Sequence, residues 1–260
     1  MTTLPLIHPG RPGAGLRPIK ALRHFRQLVA DKEDTEQVFH ITNDLRGRKF
    51  VAEAKTFLTS PLGRRLQESG EYLPEILDDH DALRKMPAGS LAHAYADFME
   101  AEGLSAAGLV EEQQKFAAQV PHYDDQLDWY NNRLRDTHDM FHILSGYGRD
   151  PLGELSLLAF SYSQNKSLGF LFIAWMGALE EKRITPRGTP IFRAIKEGQR
   201  NGRIAAKIGH QDIVSLLPLP LEQVRARLNI RPPVTYRAIL DGYHRAGIDP
   251  NHSFGSAVAA

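Results

Sequence analysis

The sequence RDTHDMFHILSGYGRDPLGELSLLAF, residues 135–160, contains two segments with helically spaced apolar residues, separated by the turn-forming run SGYGRDPLG. Asp150 and Pro151 have the residue types preferred at the N-cap and at the first position of a helix. The upstream segment extends back to about Tyr123 and ends near Leu144, which predicts one long helix there. We therefore expect an antiparallel pair of helices joined by a short turn.

Helical patterns also occupy most of the remaining chain. Residues 16–31 and 35–45 place apolar side chains at helical intervals, Ser60-Pro61 opens a further helix, and residues 90–105 run from a serine cap to a glycine stop. Alternating strand-like runs are scarce, and no internal repeat is present. The sequence predicts an all-α, single-domain helical bundle.

The two ends of the chain have a different composition from its centre. We expect residues 1–15 to form a flexible N-terminal arm, residues 16–248 the helical domain and residues 249–260 a flexible C-terminal tail. The first residues lack the basic n-region and apolar h-region of a secretory signal, so no such signal is expected.

Four side chains of metal-ligand type flank the predicted turn. His138 and His142 are one helical turn apart, which places their Cβ atoms roughly 5–6 Å from each other. Asp139, which is rotated by about 100° from His138, can reach the same ion or lie next to it. Glu154 follows His142 after eleven intervening residues and lies about as far beyond the turn as His142 lies before it. On a helix hairpin the two are level, so the spacing predicts one metal site made by His138, Asp139, His142 and Glu154.

The ligand types restrict the metal. Two imidazoles and two carboxylates suit zinc or another borderline divalent ion. The chain has no cysteine, which excludes disulfides, thiolate catalysis and cysteine-ligated metals. A purely structural origin stays open from the pattern alone, because histidine pairs at this spacing arise by chance and a glutamate in a first helical turn is favoured by the helix dipole.

Composition and charge narrow the range of partners. With 42% hydrophobic and 24% charged residues the chain is globular in type, and its formal charge of +1 predicts no nucleic-acid partner. The apolar run at residues 167–179 is shorter than the ~20 residues of a membrane-spanning helix. We interpret it as a buried core helix, with contact to a bilayer as the alternative. Residues 182–207 have eight basic residues and one acid, Glu197, which indicates a solvated face or one that contacts anionic headgroups.

Other ligand-type residues are assigned no chemistry. The side chains from Asp78 to Asp81 would point in different directions on a helix, which indicates a solvated turn. His210 and Asp212 have no further ligand-type residue near them in the sequence. A carboxylate-bridged di-iron bundle is disfavoured because none of the eleven histidines has a glutamate three residues before it.

The motif His-Asp-x-x-His, followed by eleven residues and a glutamate, resembles the signature of the ubiquinone (coenzyme Q) biosynthesis family, fourth Coq type. The segments TEQVFHITNDLRG, PAGSLAHAYADFMEAEGLS and RAIKEGQRNGRIAA with PLPLEQVRARLNI resemble that family's recurrent segments. The resemblance covers the chain from about residue 20 to 230, with all four metal ligands present.

The resemblance implies a function in ubiquinone biosynthesis. The expected substrate is a polyprenylated hydroxybenzoate-derived intermediate, and the expected reaction is an oxidative decarboxylation that replaces the C1 carboxylate by a hydroxyl. It further implies a Lewis-acid role for the metal, for which the ligand types favour zinc, and Asp139 as a candidate catalytic base if it is not tightly ligated. Other ubiquinone-biosynthesis proteins and a membrane surface are the implied partners. The expected location is cytoplasmic, peripherally associated with the inner membrane, and a homodimer is compatible with the sequence.

Two other functions stay open from the sequence. One is a non-catalytic scaffold that binds the lipid intermediate and docks the pathway enzymes. The other is a metal-dependent phosphohydrolase, because His138-Asp139 is also the dyad of the HD hydrolases. Those enzymes need a further upstream histidine and a downstream aspartate, which this chain does not place convincingly.

Overall fold

The computed structural model describes residues 4–31, 34, 36–118, 121 and 123–251, apart from the side chains of residues 112 and 116. Within these residues the chain forms α-helices, one 3₁₀ turn and a single isolated bridge between Ser90 and Pro220. The predicted all-α class is confirmed. The helices are α1 (Pro18–Ala30), α2 (Glu36–Asp44), α3 (Arg48–Leu58), α4 (Pro61–Glu68), α5 (Leu73–Asp78), α6 (His80–Arg84), α7 (Leu91–Glu102), α8 (Ala106–Ala117), α9 (Gln126–Asp136), α10 (His138–Ser145), α11 (Pro151–Asn165), α12 (Leu168–Ile184), α13 (Ile191–Ile204), α14 (Ile213–Leu216), α15 (Leu221–Arg227) and α16 (Val234–Arg245), with the 3₁₀ turn at Ile208–His210.

Several helix boundaries lie where the sequence predicts them. Ser60 caps α4 by accepting a hydrogen bond from the Gly63 amide at 3.0 Å, and Ser90 caps α7. Gly103 ends α7 with a φ of 64°, a left-handed conformation that glycine adopts without steric cost. These signals are local, because each depends on a residue and its neighbours within one turn.

The predicted long helix from Tyr123 to Leu144 is wrong in one respect. The chain forms two helices, α9 and α10, separated at Thr137, whose φ of −98° and ψ of 4° leave the helical range. The reason is packing: α9 contributes Leu127 and Tyr130 to a small core with α3, whereas α10 contributes to the main core. One straight helix could not face both cores.

The main core is built around α11, which packs against α12 and α13. A Cβ at Gly198 would lie 2.4 Å from the Ser156 carbonyl oxygen, and one at Gly202 would lie 2.3 Å from that of Phe160. Close approach of α13 to α11 therefore requires glycine at both positions. The apolar run at 167–179 falls in α12. Its Ile173, two alanines and two glycines are buried in this core, whereas its other large side chains are half-buried and Leu179 is 45% exposed, so the interpretation as a buried core helix is correct for one face only.

The described part of the N-terminal segment lies against α9. The Arg11 guanidinium is 2.7 Å from Asp125 and 2.7 Å from Asp128, and the Arg11 side chain is 6% exposed. The Gly15 amide donates to the Arg46 carbonyl at 3.1 Å. Residues 1–3 and 252–260, which belong to the predicted arm and tail, lie outside the described residues.

No helix in the described part of the chain combines the length and the apolar character that crossing a membrane requires.

Candidate metal centre

The hairpin of α10 and α11 forms because its turn is specified locally. Gly146 ends α10 with a φ of 76°, and its amide donates to the His142 carbonyl at 2.8 Å. Asp150 begins α11 by accepting from the Gly153 amide at 3.1 Å. Glu154 then lies in the first turn of α11, opposite the histidines of α10.

Three of the predicted ligands meet at this hairpin. His138, His142 and Glu154 each present one ligand atom such that these atoms all lie within 4.8 Å of one another. His142 Nε2 is 3.4 Å from Glu154 Oε1, and the two imidazole rings have centroids 5.0 Å apart. One ion between these three side chains is compatible with these separations after small side-chain adjustments.

His142 has the features of a ligand whose second nitrogen is held in place. Its Nδ1 lies 3.0 Å from the Tyr147 carbonyl oxygen, so Nδ1 carries the proton and donates it. The lone pair of Nε2 then points toward His138 and Glu154. The side chain of His142 is only 1% exposed, so water does not reach Nε2, and Nε2 has no hydrogen-bond partner in the described part of the protein. A buried polar atom without a partner is costly, and a bound metal would satisfy it.

Burial sets the protonation of the group. It lowers the pKa of His142 to about 3, with the neighbouring His138 as a second cause, and it lowers the pKa of His138 as well. Both rings are therefore neutral near pH 7, which is the state that binds metal. Burial also raises the pKa of Glu154 to about 8, against the opposing effect of the Arg149 charge. Without a metal, this carboxyl group is held partly protonated.

Asp139 lies beside the group rather than in it. It is in the first turn of α10 and lines the adjoining cavity, and burial raises the pKa of its carboxyl group. Its predicted place as a fourth ligand and as a catalytic base therefore stays a prediction.

Residues distant in sequence hold the turn that orients His142. The Tyr236 hydroxyl of α16 accepts from the Gly148 amide at 2.9 Å and donates to the Asp150 carboxylate. The buried Glu197 accepts from the Thr235 amide at 2.8 Å and so fixes the start of α16. Sequence reasoning missed Tyr236. A signal for Glu197 was present, because it is the single acid in the basic stretch 182–207.

Two arginines that sequence reasoning also missed act near the hairpin. Arg225 donates to the carbonyl oxygens of Ile143 at 2.7 Å and Leu144 at 3.1 Å, which satisfies the end of α10. Arg149 lines the cavity and is 3.3 Å from Glu102, and its charge acts on the pKa of each of the predicted ligands.

A large cavity adjoins the group formed by His138, His142 and Glu154. Its volume is about 1530 Å³, which exceeds that of ordinary small-molecule pockets. His138, Asp139 and Glu154 lie on its wall. The rest of the wall includes apolar residues from three helices: Phe25, Leu28 and Val29 of α1, Val38 and Phe39 of α2, and Phe170 and Ile173 of α12.

The residues that were assigned no chemistry have structural contacts. Asp79 caps α6, and Asp78 accepts from the Ala106 and Ala107 amides at the start of α8. His210 lies in the small core beside Tyr130, and Asp212 caps α14.

Comparison with known proteins places the chain in a family. The family model described as coenzyme Q (ubiquinone) biosynthesis protein Coq4 matches residues 33–233. A mitochondrial ubiquinone biosynthesis protein COQ4 from Yarrowia lipolytica is 33% identical over 107 residues, which is 41% of this chain and 38% of that protein. The COQ4 protein from Phaeosphaeria nodorum, also named mitochondrial, is 28% identical over 233 residues, covering 86% of this chain and 71% of the relative.

A solved structure supports the same assignment at the level of the fold. The crystal structure of a protein from Nostoc punctiforme, assigned to ubiquinone biosynthesis, has a TM-score of 0.60 and 22% identity to this chain. The match covers 82% of this chain and 98% of that one. The chain thus belongs to the Coq4 family of coenzyme Q (ubiquinone) biosynthesis proteins.

Proposed function

We propose that the protein acts on a polyprenylated hydroxybenzoate-derived intermediate and replaces its C1 carboxylate by a hydroxyl. A divalent metal, with zinc favoured by the ligand types, would be held by His138, His142 and Glu154, with Asp139 beside them. The observation that carries the proposal is the unpartnered Nε2 of His142, next to a cavity large enough for a lipid.

In this scheme the chain's own residues orient the ring and handle its protons. The hydrogen bond to the Tyr147 carbonyl keeps His142 in the tautomer whose Nε2 accepts a ligand bond. Asp139, whose pKa is raised by burial, receives the phenolic proton, because a base with a raised pKa is better matched to neutral conditions. Arg149 supplies a positive charge that attracts the ring carboxylate to this end of the cavity.

The bound metal would supply Lewis-acid polarisation of a carboxylate or phenolate oxygen. Zinc has no accessible redox change. The two-electron oxidation at C1 is therefore assigned to dioxygen reacting with the electron-rich ring. The bond from C1 to the carboxylate breaks and releases CO2, a C1–OH bond forms, and dioxygen is reduced by two electrons to hydrogen peroxide, so that ArCO2H, O2 and H2O give ArOH, CO2 and H2O2.

The apolar wall of the cavity suits the prenyl tail. Leu28 of α1, Val38 of α2 and Ile173 of α12 line it. Contact with these apolar side chains removes a hydrocarbon chain from water, which is energetically favourable. We also propose peripheral attachment to the cytoplasmic side of the inner membrane and cooperation with other ubiquinone-biosynthesis proteins. A homodimer stays a prediction.

The central test is a lipid-extract profile of a null strain complemented with wild type, His142→Ala or His244→Ala. His244 is exposed on α16 and serves as the matched control. We expect accumulation of a ring-carboxylated polyprenyl intermediate with His142→Ala alone. Normal ubiquinone with a metal-free His142→Ala protein would remove the metal group from the reaction.

Glu154→Gln separates a catalyst from a scaffold. The amide keeps the size of the side chain and removes the ligand charge. A catalyst loses turnover in this variant while the pathway proteins still co-purify, whereas loss of co-purification would favour the scaffold reading.

Leu28→Glu tests whether the apolar wall of the cavity binds the prenyl tail. A charge on the cavity wall should prevent prenyl lipid from co-purifying, because an ionised carboxylate is poorly tolerated against hydrocarbon. Leu179→Glu is the control, since Leu179 is 45% exposed on α12 and does not line the cavity. Undiminished lipid with Leu28→Glu would place the tail elsewhere.

A further inference from the structure

The outer face of α1 exposes large apolar side chains. Ile19 is 81% exposed, the highest value among the large hydrophobic residues of the described chain, and Leu16, two residues before the helix, is 59% exposed. Single exposed apolar residues are common and mean little by themselves. These two therefore matter only together with the charges and the cavity around them.

The same face is uniformly basic. Residues 16–30 contain Arg17, Lys20, Arg23 and Arg26 and no acid. Arg23 and Arg26 follow Ile19 by four and seven positions, so the three lie on one side of the helix, and all are exposed. Arg17 is 3.5 Å from Asp44, while no ion pair is found for Lys20, Arg23 or Arg26 among the described residues.

The opposite face of α1 forms a wall of the large cavity. His24, Phe25 and Leu28 line that cavity, and Lys20 lies at the boundary between the two faces. α1 thus separates the cavity from the exterior.

The other basic surface differs from α1. Arg193, Lys196, Arg200 and Arg203 are exposed along α13, the stretch that the sequence indicated as a headgroup contact. No large hydrophobic residue of α13 is exposed, and none of its residues lines the cavity. Stable attachment to a bilayer needs apolar insertion as well as charge, which α1 offers and α13 does not.

We propose that the outer face of α1, from Leu16 to Arg26, docks on the surface of an anionic bilayer and brings the cavity wall to the membrane. Ile19 and Leu16 insert among the headgroups, and Lys20, Arg23 and Arg26 contact lipid phosphates. All of α1 precedes the residues matched by the family model, so the surface is argued from this chain alone. The entry of a prenylated ligand rests on the proposed function, whereas docking itself does not.

Vesicle flotation of the full-length protein tests the surface. The probe is phosphatidylcholine vesicles with or without phosphatidylglycerol, with no substrate or metal added. We expect binding only to the anionic vesicles. Each basic residue near such a surface strengthens binding by about fivefold, so Arg23→Glu should weaken it by tenfold or more. Ile19→Glu should have a similar effect, because it removes the inserted side chain and adds a repelled charge.

Matched controls separate α1 from general electrostatics. Val234→Glu is the control for Ile19→Glu, because Val234 is a 63% exposed aliphatic residue on α16. Lys196→Glu on α13 is the control for Arg23→Glu. All four positions are exposed, so circular dichroism should report an unchanged helical fold. Both controls should bind anionic vesicles within about twofold of wild type, because charges that do not contact the bilayer are largely screened by salt.

Three outcomes would overturn the proposal. Wild-type binding by both α1 variants would exclude this face, and equal losses in the controls would mean that net charge alone attracts the protein. An altered molecular mass of Ile19→Glu in solution, with unchanged vesicle binding, would make the face a contact between two copies. Metal content and lipid profile do not enter these readouts, so failure here is distinguishable from failure of the proposed function.

Discussion

His142 and His210 occupy two different cores and look alike in most respects. Each ring stacks on a phenylalanine, His142 on Phe98 at 5.7 Å and His210 on Phe57 at 4.2 Å between centroids. Burial is the main cause of a lowered pKa in both, to about 3 for His142 and about 4 for His210. Stacking and a low pKa therefore do not by themselves indicate a metal ligand.

The difference lies in what each Nε2 meets. His210 Nε2 is 3.0 Å from the Tyr130 hydroxyl, which gives it a hydrogen-bond partner within the small core. His142 Nε2 has no hydrogen-bond partner within the described residues and faces His138 and Glu154. A core histidine whose Nε2 is hydrogen-bonded stabilises that core, whereas one whose Nε2 has no partner among other ligand-type side chains indicates a site for an ion.

The largest expected effect is a stabilisation of the protein by zinc that depends on the ligands of the hairpin and not on His210. At about 100 times the dissociation constant, zinc should raise the free energy of unfolding by about 2.7 kcal/mol. Glu154→Gln should lose this gain because it loses a ligand. Denaturant titrations with zinc and with chelator measure it.

In the presence of chelator, the effect of Glu154→Gln on stability should reverse. In the metal-free protein the pKa of Glu154 is raised to about 8, so its carboxyl group destabilises the fold as the pH rises from about 4.5 toward 8. Glu154→Gln without metal should be at least as stable as wild type at pH 8. A metal-free variant that is much less stable would mean that Glu154 supports the fold itself.

Two Tyr→Phe substitutions, one beside the hairpin and one in the small core, should have smaller effects that distinguish the two regions. Tyr236→Phe removes the hydroxyl that holds Gly148 and Asp150, and should weaken zinc binding by about tenfold, as loss of an outer-shell contact does. Tyr130→Phe leaves zinc binding unchanged and lowers the free energy of unfolding by about 1 kcal/mol. Competition titration with a zinc chelator and denaturant unfolding measure the two quantities. Equal zinc affinities would show that the turn needs no support from α16.

The smallest effect is a difference in pH dependence. His210 has a pKa of about 4 in the fold and about 6.5 when unfolded, so the unfolded chain binds more protons between these values. Stability should therefore fall as the pH falls from about 6.5 to about 4. His210→Phe should remove part of this slope, on the order of 1 kcal/mol, because partial exposure of the ring reduces the pKa effect. Zinc should add a further fall in stability toward low pH through Glu154, because its raised pKa of about 8 means that a proton competes with the metal below that pH. A slope unaffected by zinc would contradict this assignment.

The parts of the molecule that the sequence predicts are those specified by near neighbours. The Asp150 cap, the turn at Gly146 and the spacing of His138, His142 and Glu154 each depend on residues within one hairpin. Helical periodicity and hydrogen-bonding types suffice for these features.

The parts that the sequence does not predict depend on distant packing. The break at Thr137 follows from two cores that pull α9 and α10 apart, and neither core is visible in the local pattern. Tyr236 reaches Asp150 across 86 positions, and nothing about a tyrosine in an amphipathic helix marks it as a support for a metal ligand. The place of Asp139 outside the three-residue group depends on side-chain direction within the first turn of α10.

Metal content after zinc loading and removal of unbound ions tests the central claim most directly, in wild type, His142→Ala and His210→Ala. We predict one zinc per chain in wild type and in His210→Ala, and none in His142→Ala. A wild-type protein that retains no metal, or a His142→Ala protein that retains as much as wild type, would contradict the assignment of His142 as a ligand.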